Sequence, residues 1–87
     1  MNDDLKSRFE AALAAVKTLP ERPDNDMLLR LYAHYKQATV GDASGPRPGM
    51  FDFAAAAKFE AWEKLKGLGR DEAMERYIKL VERLSGG

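Results

Sequence analysis

Apolar side chains recur along this chain at the spacing of one helical face, in four runs separated by clusters of proline and glycine. In the first run Leu5, Phe9, Leu13 and Val16 share a face with Ala12 beside them, which predicts a helix over residues 4–18. Asn2 or Asp3 is placed to cap its start, and Pro20 bars continuation. The second run, residues 25–40, follows Pro23-Asp24-Asn25, which offers a cap. Its inner stripe is Leu28, Leu31, Tyr32, Tyr35 and Thr39. Residues 41–49 hold too many breakers to be regular. Asp52 can cap a third helix over 53–66, with Phe59, Trp62 and Leu65 on one side and Gly67 suited to a left-handed stop. Gly69 can start the fourth, where Asp71 and Glu72 complement the N-terminal dipole and Ala73, Tyr77, Leu80, Val81 and Leu84 recur.

Four such helices must bury their stripes against one another, so the expected fold class is an all-α bundle. Valine stands at three positions and isoleucine at one, and no stretch alternates as a strand does. The short first-to-second and third-to-fourth links favour antiparallel neighbours, whereas the longer central loop permits a crossover. The run Ala54 to Ala57 is a strong helix former. Eighty-seven residues support one core, so residues 1–87 are expected to form a single domain.

Composition narrows the function classes. The formal net charge is zero, which argues against a nonspecific nucleic-acid binder but leaves room for a local basic site. The absence of cysteine removes disulfides and thiolate metal sites, and a lone histidine, His34, cannot build a multi-histidine centre. No apolar run approaches the roughly 20 residues that span a bilayer. The acidic start, Met1-Asn2-Asp3-Asp4, lacks the order of a signal peptide. The expectation is a cytoplasmic protein without stable membrane insertion.

The chemistry concentrates in the second helix. Tyr32 and Tyr35 are three residues apart and Tyr32 and Lys36 four, so the three share a face. Two phenols and an ammonium suit a nucleotide bearing phosphate: lysine pairs with phosphate oxygens, a tyrosine hydroxyl donates to them, and a ring or lysine stem stacks on a base. From spacing alone, however, packing is the better reading of an aromatic stripe.

The run Tyr32-Ala33-His34-Tyr35-Lys36-Gln37-Ala38-Thr39-Val40-Gly41-Asp42, then Arg47-Pro48-Gly49-Met50 and Asp52-Phe53, resembles the signature of the acyl-CoA-binding protein family. The likeness continues through Ala57-Lys58, Ala61-Trp62, Leu65-Lys66-Gly67, Asp71-Glu72-Ala73-Met74 and Tyr77-Ile78, covering nearly the whole chain; the first helix matches mainly by pattern. The resemblance implies a four-helix bundle in up-down-down-up order with the ligand, a long-chain acyl-CoA, in a bowl between helices. It also implies that the 3′-phosphate and adenine are held at Tyr32, Tyr35, Lys36 and Lys58, with Tyr77 contributing from the last helix. The resemblance further implies a basic position near the phosphates at Lys17 and a border of the acyl groove at Leu28 and Leu29. Where many relatives carry lysine or glycine, this chain has Ala54, Ala55 and Ala56, which removes cations near the entrance.

Such a ligand is a polyanion joined to an apolar tail. Burying each methylene contributes about 0.8 kcal/mol, and each charge-assisted hydrogen bond to phosphate adds roughly 1.5–3 kcal/mol. Ordering costs offset much of both. The expected function is non-catalytic binding and carriage of medium- to long-chain acyl-CoA, with no cofactor or metal and no catalytic residue. The expected state is a monomer that makes transient contacts with acyl-CoA-using enzymes. A thioesterase or acyltransferase finds no nucleophile arranged with a base in sequence. A protein-interaction module is the third class. His34 is expected to be structural and turned from the tyrosine face, Trp62 to be core or groove wall, and Arg47 to shape its loop by bonding backbone carbonyls.

Overall fold

The structure, a computed structural model, describes residues 2–86, with side chains from residue 4 onward. It contains four helices: α1 (Asn2–Val16), α2 (Asn25–Thr39), α3 (Phe53–Glu63) and α4 (Arg70–Leu84). The expected cap of α1 by Asn2 or Asp3 lies outside the described side chains. Two C-terminal boundaries fall earlier than the hydrophobic spacing implies. After α1 the Thr18 amide bonds the Ala15 carbonyl, and after α3 the Lys66 amide bonds the Glu63 carbonyl. These tight three-residue turns continue the helical path without α-helical bonding. The caps follow the sequence: Asp24 accepts from the Met27 amide at 2.8 Å and Asp52 from the Ala55 amide at 3.1 Å. Gly67 ends the third segment at φ +91°, a left-handed conformation that a side chain resists.

Among the described residues the helix backbones that pack closely are α2 with α4, α1 with α4, and α2 with α3, while α1 reaches α2 through side chains, Phe9 against Tyr35. The expectation that the short links join antiparallel neighbours fails for α3–α4, and the antiparallel α1 and α2 meet only through side chains rather than along their backbones. Antiparallel packing instead joins α2 to α4, where Gln37 near the end of one reaches the Leu68 carbonyl just before the other. On α1 and α4 the pairs run in step, Arg8 beside Glu75 and Ala15 in one groove with Ser85, so these helices are parallel. On α2 and α3, Tyr32 meets Lys58 and Lys36 meets Trp62, again in step. The order is thus up-down-down-up, with residues 40–52 forming the crossover between the parallel pair.

The main core gathers Phe9, Ala12, Leu31, Ala38, Ala73, Tyr77, Ile78, Leu80 and Val81 from α1, α2 and α4. On α2 the fully buried positions are Leu31, Ala33, Gln37 and Ala38, not the single stripe expected: Leu28 and Tyr32 are half-buried, and Tyr35 and Thr39 are exposed. The cause is topological. An α2 placed between α3 and α4 must bury two faces, and small or amide side chains fill them.

Gln37 also ties the crossover down. Its amide nitrogen donates to Asp42 Oδ1 and to the Leu68 carbonyl, both at 2.8 Å, and the Gly67 amide donates to the same Asp42 oxygen at 2.9 Å. The Gly67 amide first, and then the Gln37 amide, hold the Asp42 carboxyl below its ordinary value of 3.8. A depressed carboxyl stabilises the fold above its unfolded pKa, and that contribution is lost as pH falls through the lower folded value. Over that acid window the unfolded chain binds more protons, so stability rises with pH. Asp42→Asn keeps one acceptor but removes the titration. Its urea-unfolding midpoint is expected to vary less with pH below about pH 4 than that of the wild type, and an equal acid slope in both proteins would contradict this.

Candidate ligand-binding site

The parallel packing of α2 and α3 sets one cation and one aromatic ring at each of two successive levels. Lys36 Nζ lies 4.9 Å from the centroid of the Trp62 ring, and Lys58 Nζ lies 5.5 Å from that of Tyr32. Each ammonium is positioned by a ring quadrupole rather than by a carboxylate, so its charge remains available to an anion. The Trp62 ring is itself fixed: it is buried, its Nε1–H donates to the Gly41 carbonyl at 2.7 Å, and Phe59 meets it edge-on at 6.0 Å.

One turn further toward the helix N-termini, Leu28, Leu29, Ala54 and Ala57 line a groove of about 410 Å³ that Lys58, Asn25 and Arg22 complete. A second groove, of about 380 Å³, is lined by Val16, Lys17, Leu19, Glu21, Pro23, Arg22 and Leu28. Arg22 and Leu28 belong to both, so the two depressions adjoin. Across the bundle, Phe9 of α1 stacks on Tyr35 at 6.4 Å and meets Tyr77 edge-on at 5.3 Å. Burial pushes the Tyr77 phenol above its usual pKa, and Tyr35 adds to the shift. The neutral hydroxyl, a donor, is the form held at neutral pH. The cations and the apolar trough thus lie on the α2–α3 seam, and a second aromatic group, Phe9, Tyr35 and Tyr77, joins α1, α2 and α4.

A model of the family described as Acyl CoA binding protein matches residues 6–81. The chain belongs to the acyl-CoA-binding protein family. It is 53% identical over 76 residues to acyl-CoA-binding protein homolog 1 of Caenorhabditis elegans, a match covering 87% of this chain and 88% of that protein. The crystal structure of acyl-CoA-binding protein 2 from Oryza sativa matches with a TM-score of 0.91 at 40% identity, over 95% of this chain and 90% of that one. A further match, 48% identical over 77 residues, is to enoyl-CoA delta isomerase 2 of Rattus norvegicus; it covers 88% of this chain and 20% of that longer protein.

Within this acyl-CoA-binding protein fold the expected site residues fall into groups. Tyr32, Lys36 and Lys58 meet on the α2–α3 seam, and Leu28 and Leu29 line the adjoining groove. Tyr35 and Tyr77 meet instead through Phe9, so the face expected to carry Tyr32, Tyr35 and Lys36 together divides. At about 100° per residue, Tyr35 and Lys36 diverge enough to serve different neighbours. Lys17, exposed past the end of α1, adjoins the groove by way of Arg22 and Leu28. His34 is tied within its own helix, Nδ1 donating to the Arg30 carbonyl at 2.7 Å. Arg47 departs from expectation: it bonds both carboxylate oxygens of Glu63, at 2.6 and 2.8 Å, and lies 5.3 Å over Phe59. A carboxylate within reach outcompetes neutral carbonyls for a guanidinium. Two neighbours of these residues, Arg22 at the grooves and Phe9 between Tyr35 and Tyr77, carry no motif signal in the sequence. Arg22 lies in a loop with no periodicity, and Phe9 carried only the signal of a core position.

No helix of the described residues is long and apolar enough to cross a membrane. Among the same residues no group of three or more His, Cys, Asp or Glu is arranged to hold a metal ion.

Proposed function

We propose that this protein binds medium- to long-chain acyl-CoA esters without transforming them, and serves as a cytoplasmic carrier and pool former for acyl-CoA. The observation that carries the reading is the juxtaposition of two ring-positioned cations, Lys36 and Lys58, with an apolar groove lined by Leu28, Leu29, Ala54 and Ala57. A charged head beside an apolar trough fits an amphiphile with a phosphorylated nucleotide at one end and a hydrocarbon chain at the other. Tyr32, Tyr35, Lys36 and Lys58, with Tyr77 and Lys17, are assigned to the nucleotide and its phosphates; Leu28 and Leu29 are assigned to the chain. The tail then sets affinity across chain lengths through buried methylenes, while the nucleotide sets ligand class and orientation. The binding character of the family and the tied-up state of His34 both favour a non-catalytic role. The protein acts as a monomer, meeting acyl-CoA-using enzymes transiently.

Calorimetric titration with palmitoyl-CoA, coenzyme A and palmitate tests the reading. The ester is expected to bind more tightly than either part alone, because each part leaves one half of the site unused. Equal affinity for palmitoyl-CoA and palmitate would remove the nucleotide from the site and turn attention to protein partners. Release of free thiol from palmitoyl-CoA during incubation would replace the carrier by a thioesterase.

A further inference from the structure

We propose that Arg22 grips the 5′-diphosphate of the bound acyl-CoA at the acyl groove that it lines together with Lys58. The assignment rests on the acyl-CoA reading above and adds to it a residue and a ligand group.

Arg22 stands in the link between α1 and α2 and lines both grooves, the one that holds Leu28, Leu29, Ala54, Ala57 and Lys58 and the one that holds Lys17. The ion pairs among the described residues commit Arg8 to Glu75, Arg47 to Glu63 and Arg76 to Glu72; Arg22 is in none of them. Of the carboxylates beside it in sequence, Asp24 is occupied in capping α2 through the Met27 amide. Glu21, which lines the Lys17 groove, forms no ion pair with it. An exposed guanidinium beside an apolar trough, with its donors unspent, is a ready anion contact.

The order of charges along the seam identifies the anion. Lys36 lies at the Trp62 level and Lys58 at the Tyr32 level one turn on, and Arg22 lines the groove that Leu28 and Ala54, one turn further along their helices, form with Lys58. In an acyl-CoA the diphosphate is covalently between the phosphorylated nucleoside and the pantetheine that leads to the acyl chain. With the 3′-phosphate and adenine at the Tyr32–Lys36 end and the chain between Leu28 and Ala57, the diphosphate passes between Lys58 and Arg22. On the α3 side of that level stands Ala54, which carries no charge, so the loop arginine supplies a cation that α3 lacks. The planar fork of arginine matches adjacent phosphate oxygens in a bidentate manner that a lysine cannot reproduce.

The test titrates wild type, Arg22→Gln and Arg22→Lys with three dodecanoyl thioesters: of coenzyme A, of 3′-dephospho-coenzyme A and of pantetheine. Arg22→Gln is expected to weaken binding of both diphosphate-bearing esters about tenfold and to leave the pantetheine ester unchanged, with Arg22→Lys recovering part of the loss. A full-strength Arg22→Gln variant would overturn the assignment. So would an equal loss with the pantetheine ester, which would mean that Arg22 only shapes the groove. A loss confined to the 3′-phosphorylated ester would move Arg22 to the other phosphate and overturn it too. If wild type itself prefers none of these esters to dodecanoate, the acyl-CoA reading fails first, a result distinct from any of the three.

Discussion

Trp62→Ala is expected to lower folding stability by about 3–5 kcal/mol, measured by urea unfolding followed in the far ultraviolet because this is the chain's one tryptophan. The size of the effect follows from how α3 is held. Among the helices α3 contacts only α2, and Trp62 is the only one of its residues that is fully buried. The ring fills the seam beneath Lys36, meets Phe59 edge-on and donates to the Gly41 carbonyl at 2.7 Å, so it fastens the crossover as well as the helix. Truncation leaves a cavity and an unpaired carbonyl together. Against a total stability of about 5–15 kcal/mol for a domain of this kind, such a loss is a large fraction. Trp62→Phe separates the two parts. It keeps most of the apolar volume, loses the hydrogen bond, and is expected to cost clearly less. A change below about 1 kcal/mol for Trp62→Ala would show that α3 is held by something other than this ring.

The same residue shows how far sequence reasoning reaches. Helical spacing of Phe59, Trp62 and Leu65 marks an inner face of α3 and the turn after it, and the caps at Asp24 and Asp52 follow from residue type. What spacing cannot express is which face meets which helix. Chain connectivity favours α1 beside α2 and α3 beside α4, yet the close backbone packing of α1 and α2 is on α4, α3 packs on α2, and α1 meets α2 only through side chains such as Phe9 and Tyr35. Once α2 is shared between two neighbours, its buried set becomes Leu31, Ala33, Gln37 and Ala38. Gln37 looks like a surface residue in sequence, and only the approach of Asp42 and Leu68 gives its amide a buried role.

At the candidate site the division is similar. Family likeness led to Tyr32, Lys36 and Lys58, whose mutual arrangement is a matter of helix register and so is nearly fixed once α2 and α3 run in parallel. Arg22 and Arg47 lie on irregular backbone, where no period predicts direction. Arg47 found a carboxylate, Glu63, sixteen residues away, and its loop-shaping role is exercised through that pair rather than through carbonyls.

Lys36→Ala is expected to weaken palmitoyl-CoA binding about 10- to 100-fold, the equivalent of one charge-assisted hydrogen bond of roughly 1.5–3 kcal/mol. Most lysines lose considerable rotamer freedom when they engage an anion. Lys36 is half-buried, with its ammonium already over the Trp62 face at 4.9 Å, so much of that cost is met before the ligand arrives. Its partial desolvation also shields the contact from salt. Lys58, exposed on the rim at 5.5 Å from Tyr32, is less restrained and more screened, so Lys58→Ala is expected to weaken binding by a smaller factor that shrinks further as salt is raised. Calorimetry at two ionic strengths, paired with thermal unfolding of each variant, separates loss of a contact from loss of the fold. If the two variants are equally impaired and equally salt-sensitive, the ring beneath Lys36 confers no advantage, and the nucleotide is held by diffuse charge rather than by a prepared site. If Lys36→Ala alone is severe at both salt concentrations, the seam between α2 and α3 acts as a preformed nucleotide grip, and the stability that Trp62 gives to α3 is also what keeps that grip in place.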